Sequence, residues 1–348
     1  MMNLAKPCGQ PSQSWNYMIS VSDILHLPYT HDLIEGGIAY TLRSLSYNFH
    51  RANGSVYDGL RRGVATGAVE LAFRRHLSEQ NIPFEVKAAP PFTDYERHDV
   101  ILDGRRCEIK SFFICRHDQI LQIQCNPELL LKAPALVASD QHAGEGSSPR
   151  DLYLFAFLTG QVTTSREDLE KVLEAGQTHY LINVMPQSWS RPSRWNPLGK
   201  LVLKSDSEEL QTIEIGGQDE GRTIRSCTVE LPPRTRVEVQ NRFFSLAYVH
   251  TKSGSPARIG IYSPVRRETH LIGASDWGNM WVYGLDVLLT GYITREEFSR
   301  RASFIPAGSR VLQDNRTQVK NLAVPVSELR PLSGLIERMK MTPLAITV

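Results

Sequence analysis

The sequence predicts a mixed α/β protein: a sheet flanked by helices over the first half, followed by a β-rich second half. Two observations carry this. Up to about residue 185 the chain alternates helix-period and strand-period segments in the order helix, strand, hairpin, helix, strand, helix, strand. Pro186 to Gly199 then breaks the texture with three prolines and no periodicity, and six short strand-like runs follow between Leu201 and Ser263.

Residues 1 to about 28 are polar and read as a tail or irregular strap. Thr30 to Tyr47 is the first helix, capped by Thr30 or Asp32, with Gly36-Gly37 weakening it by about 1 kcal/mol each. Val56 to Gln80 is a stronger helix with a broad apolar face through Val64, Ala68, Ala72, Phe73 and Leu77. Phe84 to Val86 reads as a strand and Ile120 to Gln124 as another, because both alternate apolar and polar residues. Pro127 opens a short helix to Lys132, and Ser139 to Pro149 is a flexible loop. Leu152 to Leu158 is apolar throughout, as a buried central strand should be. Ser165, with Asp168 three residues on and Gly176 at the end, brackets another helix before a strand at Tyr180–Val184. A weak echo links FLTGQVT (157–163) to LLTGYIT (288–294), each leading into an acidic helix start.

The most informative stretch is RHDVILDGRRCEIKSFF, residues 97–113. Asp103-Gly104 is a strong two-residue turn signal, and it dictates a register: Leu102 faces Arg105, Val100 faces Cys107 and Asp99 faces Glu108. Opposed residues share a face with Cβ atoms roughly 5 Å apart, and strand alternation adds Lys110 to that face. Two carboxylates and an ammonium inside an apolar segment are costly unless compensated. A divalent cation held by hard oxygen ligands removes the cost. The alternative is a solvated hairpin in which Lys110 pairs with Glu108 or Asp99.

Asp99 followed by Glu108-Ile109-Lys110 on the next strand resembles the PD-(D/E)xK nuclease superfamily, although His98 stands where that family has proline. The resemblance spans roughly residues 56–184 and implies a restriction-endonuclease-like mixed sheet. It also implies one or two Mg²⁺ or Mn²⁺ ions on Asp99, Glu108 and the Ile109 carbonyl, with Lys110 assisting the attacking water. Members often add a glutamate from the preceding helix, here Glu70, and some use a glutamine after the lysine strand, here Gln122 or Gln124. The bland readings are a Glu70–Arg74 pair along the helix and a polar outer face for the glutamines.

Three segments are expected: residues 1–54 as tail and helix, 55–185 as the nuclease-like core, and 186–348 as a β-rich C-terminal domain. Trp189, Arg191, Arg194 and Trp195 interleave in the joining loop, as residues that stack on bases and contact phosphate do; packing against a sheet is the other reading. Arg97 is a further candidate contact. A net charge of +2 makes any nucleic-acid surface local rather than global. Five cysteines without a CxxC pair favour a reducing compartment over a disulfide framework or a zinc site. With no signal peptide and no apolar run long enough to span a bilayer, the expectation is a cytoplasmic protein. The expected function is metal-dependent hydrolysis of nucleic acid, DNA before RNA, in prokaryotic defence or DNA processing. The alternative is a catalytically retired nuclease fold serving as a nucleic-acid-binding or assembly subunit among protein partners.

Overall fold

A three-residue edge strand, β1 (Leu25–Leu27), precedes two long helices, α1 (His31–Asn48) and α2 (Val56–Glu79), in a computed structural model of the chain. The structure describes residues 19–27, 30–48, 55–86, 100–144, 148–251, 258–314 and 316–341. Next come β2 (Val100–Leu102), β3 (Arg105–Ile114), α3 (His117–Cys125), α4 (Glu128–Lys132), β4 (Pro134–Ala138) and α5 (Ser139–His142). β5 (Leu152–Gln161), α6 (Arg166–Glu174), β6 (Leu181–Val184) and α7 (Gln187–Ser190) complete the first half. The second half holds β7 (Val202–Ser205), β8 (Gln211–Gln218), β9 (Ile224–Leu231), β10 (Arg236–Glu238), β11 (Ser245–Thr251), β12 (Ile259–Ser263) and β13 (Glu268–Ile272). It ends with β14 (Gly278–Asn279), β15 (Tyr283–Thr294), α8 (Arg295–Arg301), β16 (Ser303–Ile305), β17 (Asn321–Pro325) and α9 (Leu332–Met341). The class is mixed α/β and rich in strands, and all six strand-like runs of the second half are strands β7 to β12.

The central sheet has the order β1-β15-β5-β3-β2. The β2–β3 hairpin has the register that the turn dictates, pairing Leu102 with Arg105 and Val100 with Cys107. Asp103 and Gly104 take φ +50° and +67°, the positive values a type I′ turn needs. β3 runs parallel to β5, and the parallel step is bridged by α3, α4, β4 and α5 on one face. On the other face α1 and α2 bury Leu33, Ile34, Val64, Ala68 and Phe73 against Cys107, Ile109, Leu152 and Leu154. Alternate residues of the same strands, Ile114, Tyr153, Phe155 and Phe157, join a separate cluster with Ile120, Ile123, Phe298 and Val324.

Three expectations are corrected. Residues 25–27 are a strand rather than a strap, because Leu25 and Leu27 alternate against β15. Residues 120–124 lie in helix α3, not in a strand; Ile120 and Ile123 are buried three apart while Leu121 is exposed, which is a helical period. A break near 186 does not separate the sheets. β15, from the second half, lies beside β5 in the central sheet, β17 pairs with β4, and β6 pairs with β11 and β14. The sheets β10-β7-β12-β13 and β14-β6-β11-β8-β9 share their own apolar cluster around Leu203, Ile215, Leu246 and Ile261.

The internal echo is structural. β5 and β15 are antiparallel neighbours, and the echo-equivalent residues Phe157 and Leu288 are paired with each other. Leu158–Val287 and Ala156–Leu289 then interchange, as a two-fold axis between the strands requires. Each strand leads to a helix whose cap hydroxyl, Ser165 or Thr294, accepts a hydrogen bond from the backbone N–H three residues on.

Gly37, predicted to weaken α1, is there for a close crossing. A Cβ at Gly37 would lie 2.3 Å from the Val64 carbonyl oxygen on α2, and one at Gly67 would lie 3.0 Å from the Gly37 Cα. Gly37→Ala should therefore destabilise the fold by about 1–3 kcal/mol through overpacking, despite the better helix propensity of alanine. A thermal melt of the variant checks this; an unchanged or raised Tm would contradict it.

Candidate functional site

Glu108, Lys110 and Phe112 alternate on the face of β3 opposite α1 and α2, since Cys107 and Ile109 belong to the helix-side core. Glu108 is directly beside Tyr153 on the parallel strand β5. The Lys110 ammonium lies 2.7 Å from the Glu108 carboxylate, with both side chains only partly exposed, and donates to Gln141 Oε1 at 3.1 Å. It also lies 5.5 Å from the Tyr153 ring centroid, while the Arg295 guanidinium lies 5.8 Å from the same centroid. His142 joins Tyr153 to α8: its Nδ1 is 3.1 Å from the Tyr153 hydroxyl and its Nε2 is 2.9 Å from the Ser299 hydroxyl. Arg295 in turn donates to the His142 carbonyl oxygen, tying α5 to the start of α8.

Burial raises the Tyr153 pKa well above the ordinary phenol value, with Glu108 adding to the effect, so the hydroxyl stays protonated. Burial lowers the His142 pKa, and Arg295 and Lys110 lower it further against the opposing pull of Glu108. Burial lowers His76 and His270 as well. A histidine with a depressed folded-state pKa contributes stability above its unfolded value of 6.5 and loses it as the pH falls. Tm should therefore drop on acidification from about pH 7.5 to about pH 5.5, and less steeply in His142→Asn. A flat profile over that range would contradict the assignment.

The other sequence candidates are placed differently. Asp99 and Arg97 lie outside the described residues. Glu70 is on α2, the helix packed against the opposite face of the sheet, where it is buried and ion-paired with Arg74 four residues on. The structure thus separates Glu70 from Glu108 by the sheet itself and adopts the i, i+4 pair. Gln122 and Gln124 are exposed on α3. Trp189 is wholly buried in the apolar cluster of the second pair of sheets, its indole N–H 3.3 Å from Glu268 and its ring covered by Arg266. No face of it is open for base stacking. Trp195 is half-buried, donates to the Glu220 carbonyl at 2.9 Å and packs with Arg222 and Phe244. Arg191 and Arg194 are exposed.

Gln141, His142, Tyr153, Arg295 and Ser299 were not singled out from sequence. Gln141 and His142 lie in a segment read as loop, and Arg295 and Ser299 lie more than 180 residues from Lys110. The usable signal was the echo, whose second copy delivers α8 to the neighbouring strand.

Among the described residues, no three His, Cys, Asp or Glu side chains group to hold a metal ion, and no helix is long and apolar enough to cross a membrane. Comparison with protein-family models, curated proteins and solved structures finds no match.

Proposed function

We propose that the chain is a metal-dependent nuclease of the restriction-endonuclease-like kind, hydrolysing phosphodiester bonds in nucleic acid, DNA before RNA. A cytoplasmic role in prokaryotic defence or DNA processing goes with this reading. One observation carries it: the partly buried Glu108–Lys110 pair, two residues apart on the strand that follows a two-residue turn. The parallel pairing of β3 with β5 after a helical crossover is the sheet arrangement such a core uses.

The donor chemistry fits Mg²⁺ or Mn²⁺. The Glu108 carboxylate keeps about a quarter of its side chain exposed, and the Ile109 carbonyl and Asp99 are the further oxygen ligands the resemblance implies. Such ions take one or two carboxylates and leave the remaining positions to water and phosphate. When bound, the ion supplies phosphate polarisation and a more acidic water. Lys110, steered by Glu108 and Gln141, supplies positive charge for the phosphate oxygens as the bond breaks. Arg295 adds a second cation beside Tyr153.

A second reading, a retired nuclease fold that binds nucleic acid or a protein assembly, is favoured by the position of Glu70 across the sheet. A cleavage panel separates the two. The full chain is incubated with plasmid, linear duplex, single-stranded DNA and RNA in Mg²⁺, Mn²⁺ or EDTA. The first reading expects EDTA-sensitive cleavage of a DNA substrate. Binding without cleavage supports the second, and neither binding nor cleavage contradicts both.

A further inference from the structure

A second concavity lies at the other end of the β3–β5 pair. Five strand residues separate Lys110 from Cys115, roughly 17 Å, so the two places are distinct. The cleft has a volume of about 910 Å³ and is bounded by the segments that follow β3 and β5, by the first turns of α6, and by the start of β15. Crevices beyond the carboxyl ends of adjacent parallel strands are where open α/β sheets bind ligands, and the volume suits a small molecule.

The lining specifies what that molecule is. Thr163, just past β5, is 7% exposed, and its hydroxyl is buried without a hydrogen-bond partner. Its backbone is nevertheless fixed, since the Arg61 guanidinium donates to its carbonyl at 2.6 Å. A buried polar atom with no partner in the protein is a position for a ligand's polar atom. One end of the cleft is aromatic. The His31 and Trp281 rings meet edge-on at 5.6 Å, and Tyr283 stands beside them. The Tyr283 hydroxyl is already committed, donating to the Thr178 carbonyl and accepting from Asn279, both at 2.9 Å, so this residue offers its ring and not its polar tip. The other end carries Asp168 and Lys171, one of each sign and a turn apart on α6, which cancels any surplus positive charge. Gln161 and His117, 3.3 Å apart, supply amide and imidazole hydrogen-bonding groups.

An aromatic wall, a carboxylate, a buried hydroxyl and no net charge match a planar heterocycle carrying a hydroxylated ring. We propose that this cleft binds a nucleoside, with the base at the His31–Trp281 end and the sugar hydroxyls donating to Asp168. Charge balance disfavours the triphosphate. The proposal is independent of the Glu108–Lys110 chemistry.

The test is a calorimetric titration of the full chain with adenosine, guanosine, cytidine and uridine, each beside its triphosphate. At least one nucleoside should bind, and at least about tenfold tighter than its triphosphate. Thr163→Val and Asp168→Asn should each weaken binding by about tenfold or more, whereas Glu108→Ala should leave it unchanged. Thr163→Val should melt no lower than the parent chain, because it removes an unpartnered hydroxyl, so lost binding there is not lost folding. The proposal is overturned if no nucleoside binds below millimolar concentration, if the triphosphates are preferred, or if both cleft variants bind like the parent.

Discussion

Lys110→Ala should lower the phosphodiester cleavage rate on the order of 10²–10³-fold while leaving the fold intact. The side chain is partly exposed on the outer face of β3, and its contacts are Glu108, Gln141 and the Tyr153 ring, so no core volume is lost. Glu108→Ala should be at least as damaging, because it removes a metal ligand from a site with few protein ligands and leaves Lys110 without its ion-pair partner. Gln141→Ala should cost less, since it only steers the lysine. Glu70→Ala should alter stability more than rate, because its partner Arg74 and the rest of α2 lie across the sheet. Single-turnover rates for the four variants, with far-ultraviolet circular dichroism as the folding control, check this ranking. Equal rates in Lys110→Ala and the parent chain would place any activity elsewhere.

Truncation after residue 185 should abolish cooperative folding of the first half. β5 is buried along nearly its whole length between β3 and β15, and truncation strips β15 from its side. The helix-side core loses Trp281, Val287 and Leu289, and the opposite core loses Leu288, Phe298 and Val324. At about 1.5–3 kcal/mol for each large apolar side chain, that loss matches or exceeds the roughly 5–15 kcal/mol by which domains are stable. The unpaired edge of β5 would also be an aggregation surface. Expression of residues 1–185 should yield insoluble or molten material; a monomer with a sharp thermal transition would show that the second half is dispensable to the sheet.

Local signals were legible in the sequence where one residue type has one physical use. Asp103-Gly104 set the hairpin register, Ser165 and Gly176 bracketed α6, and the unbroken apolar run of β5 marked a central strand. Long-range pairings were not legible. Nothing local in Tyr283–Thr294 says that it inserts beside β5, because an apolar strand suits any buried sheet position. Segment 117–125 misled because a short run fits both a two-residue and a three-residue period, and the burial of Ile120 and Ile123 decides it only once the core is known. Of the candidate site, Glu108 and Lys110 were readable as a pair on one strand, whereas His142, Tyr153 and Arg295 came from three segments that only the tertiary fold assembles.

The central claim is that Glu108 and Lys110 form a metal-dependent hydrolytic site, and calorimetric titration of the full chain with Mn²⁺ tests it most directly. The parent chain should bind Mn²⁺ saturably, Lys110→Ala should retain that binding, and Glu108→Ala should lose it. No Mn²⁺ binding by the parent chain, or undiminished binding by Glu108→Ala, would contradict the claim.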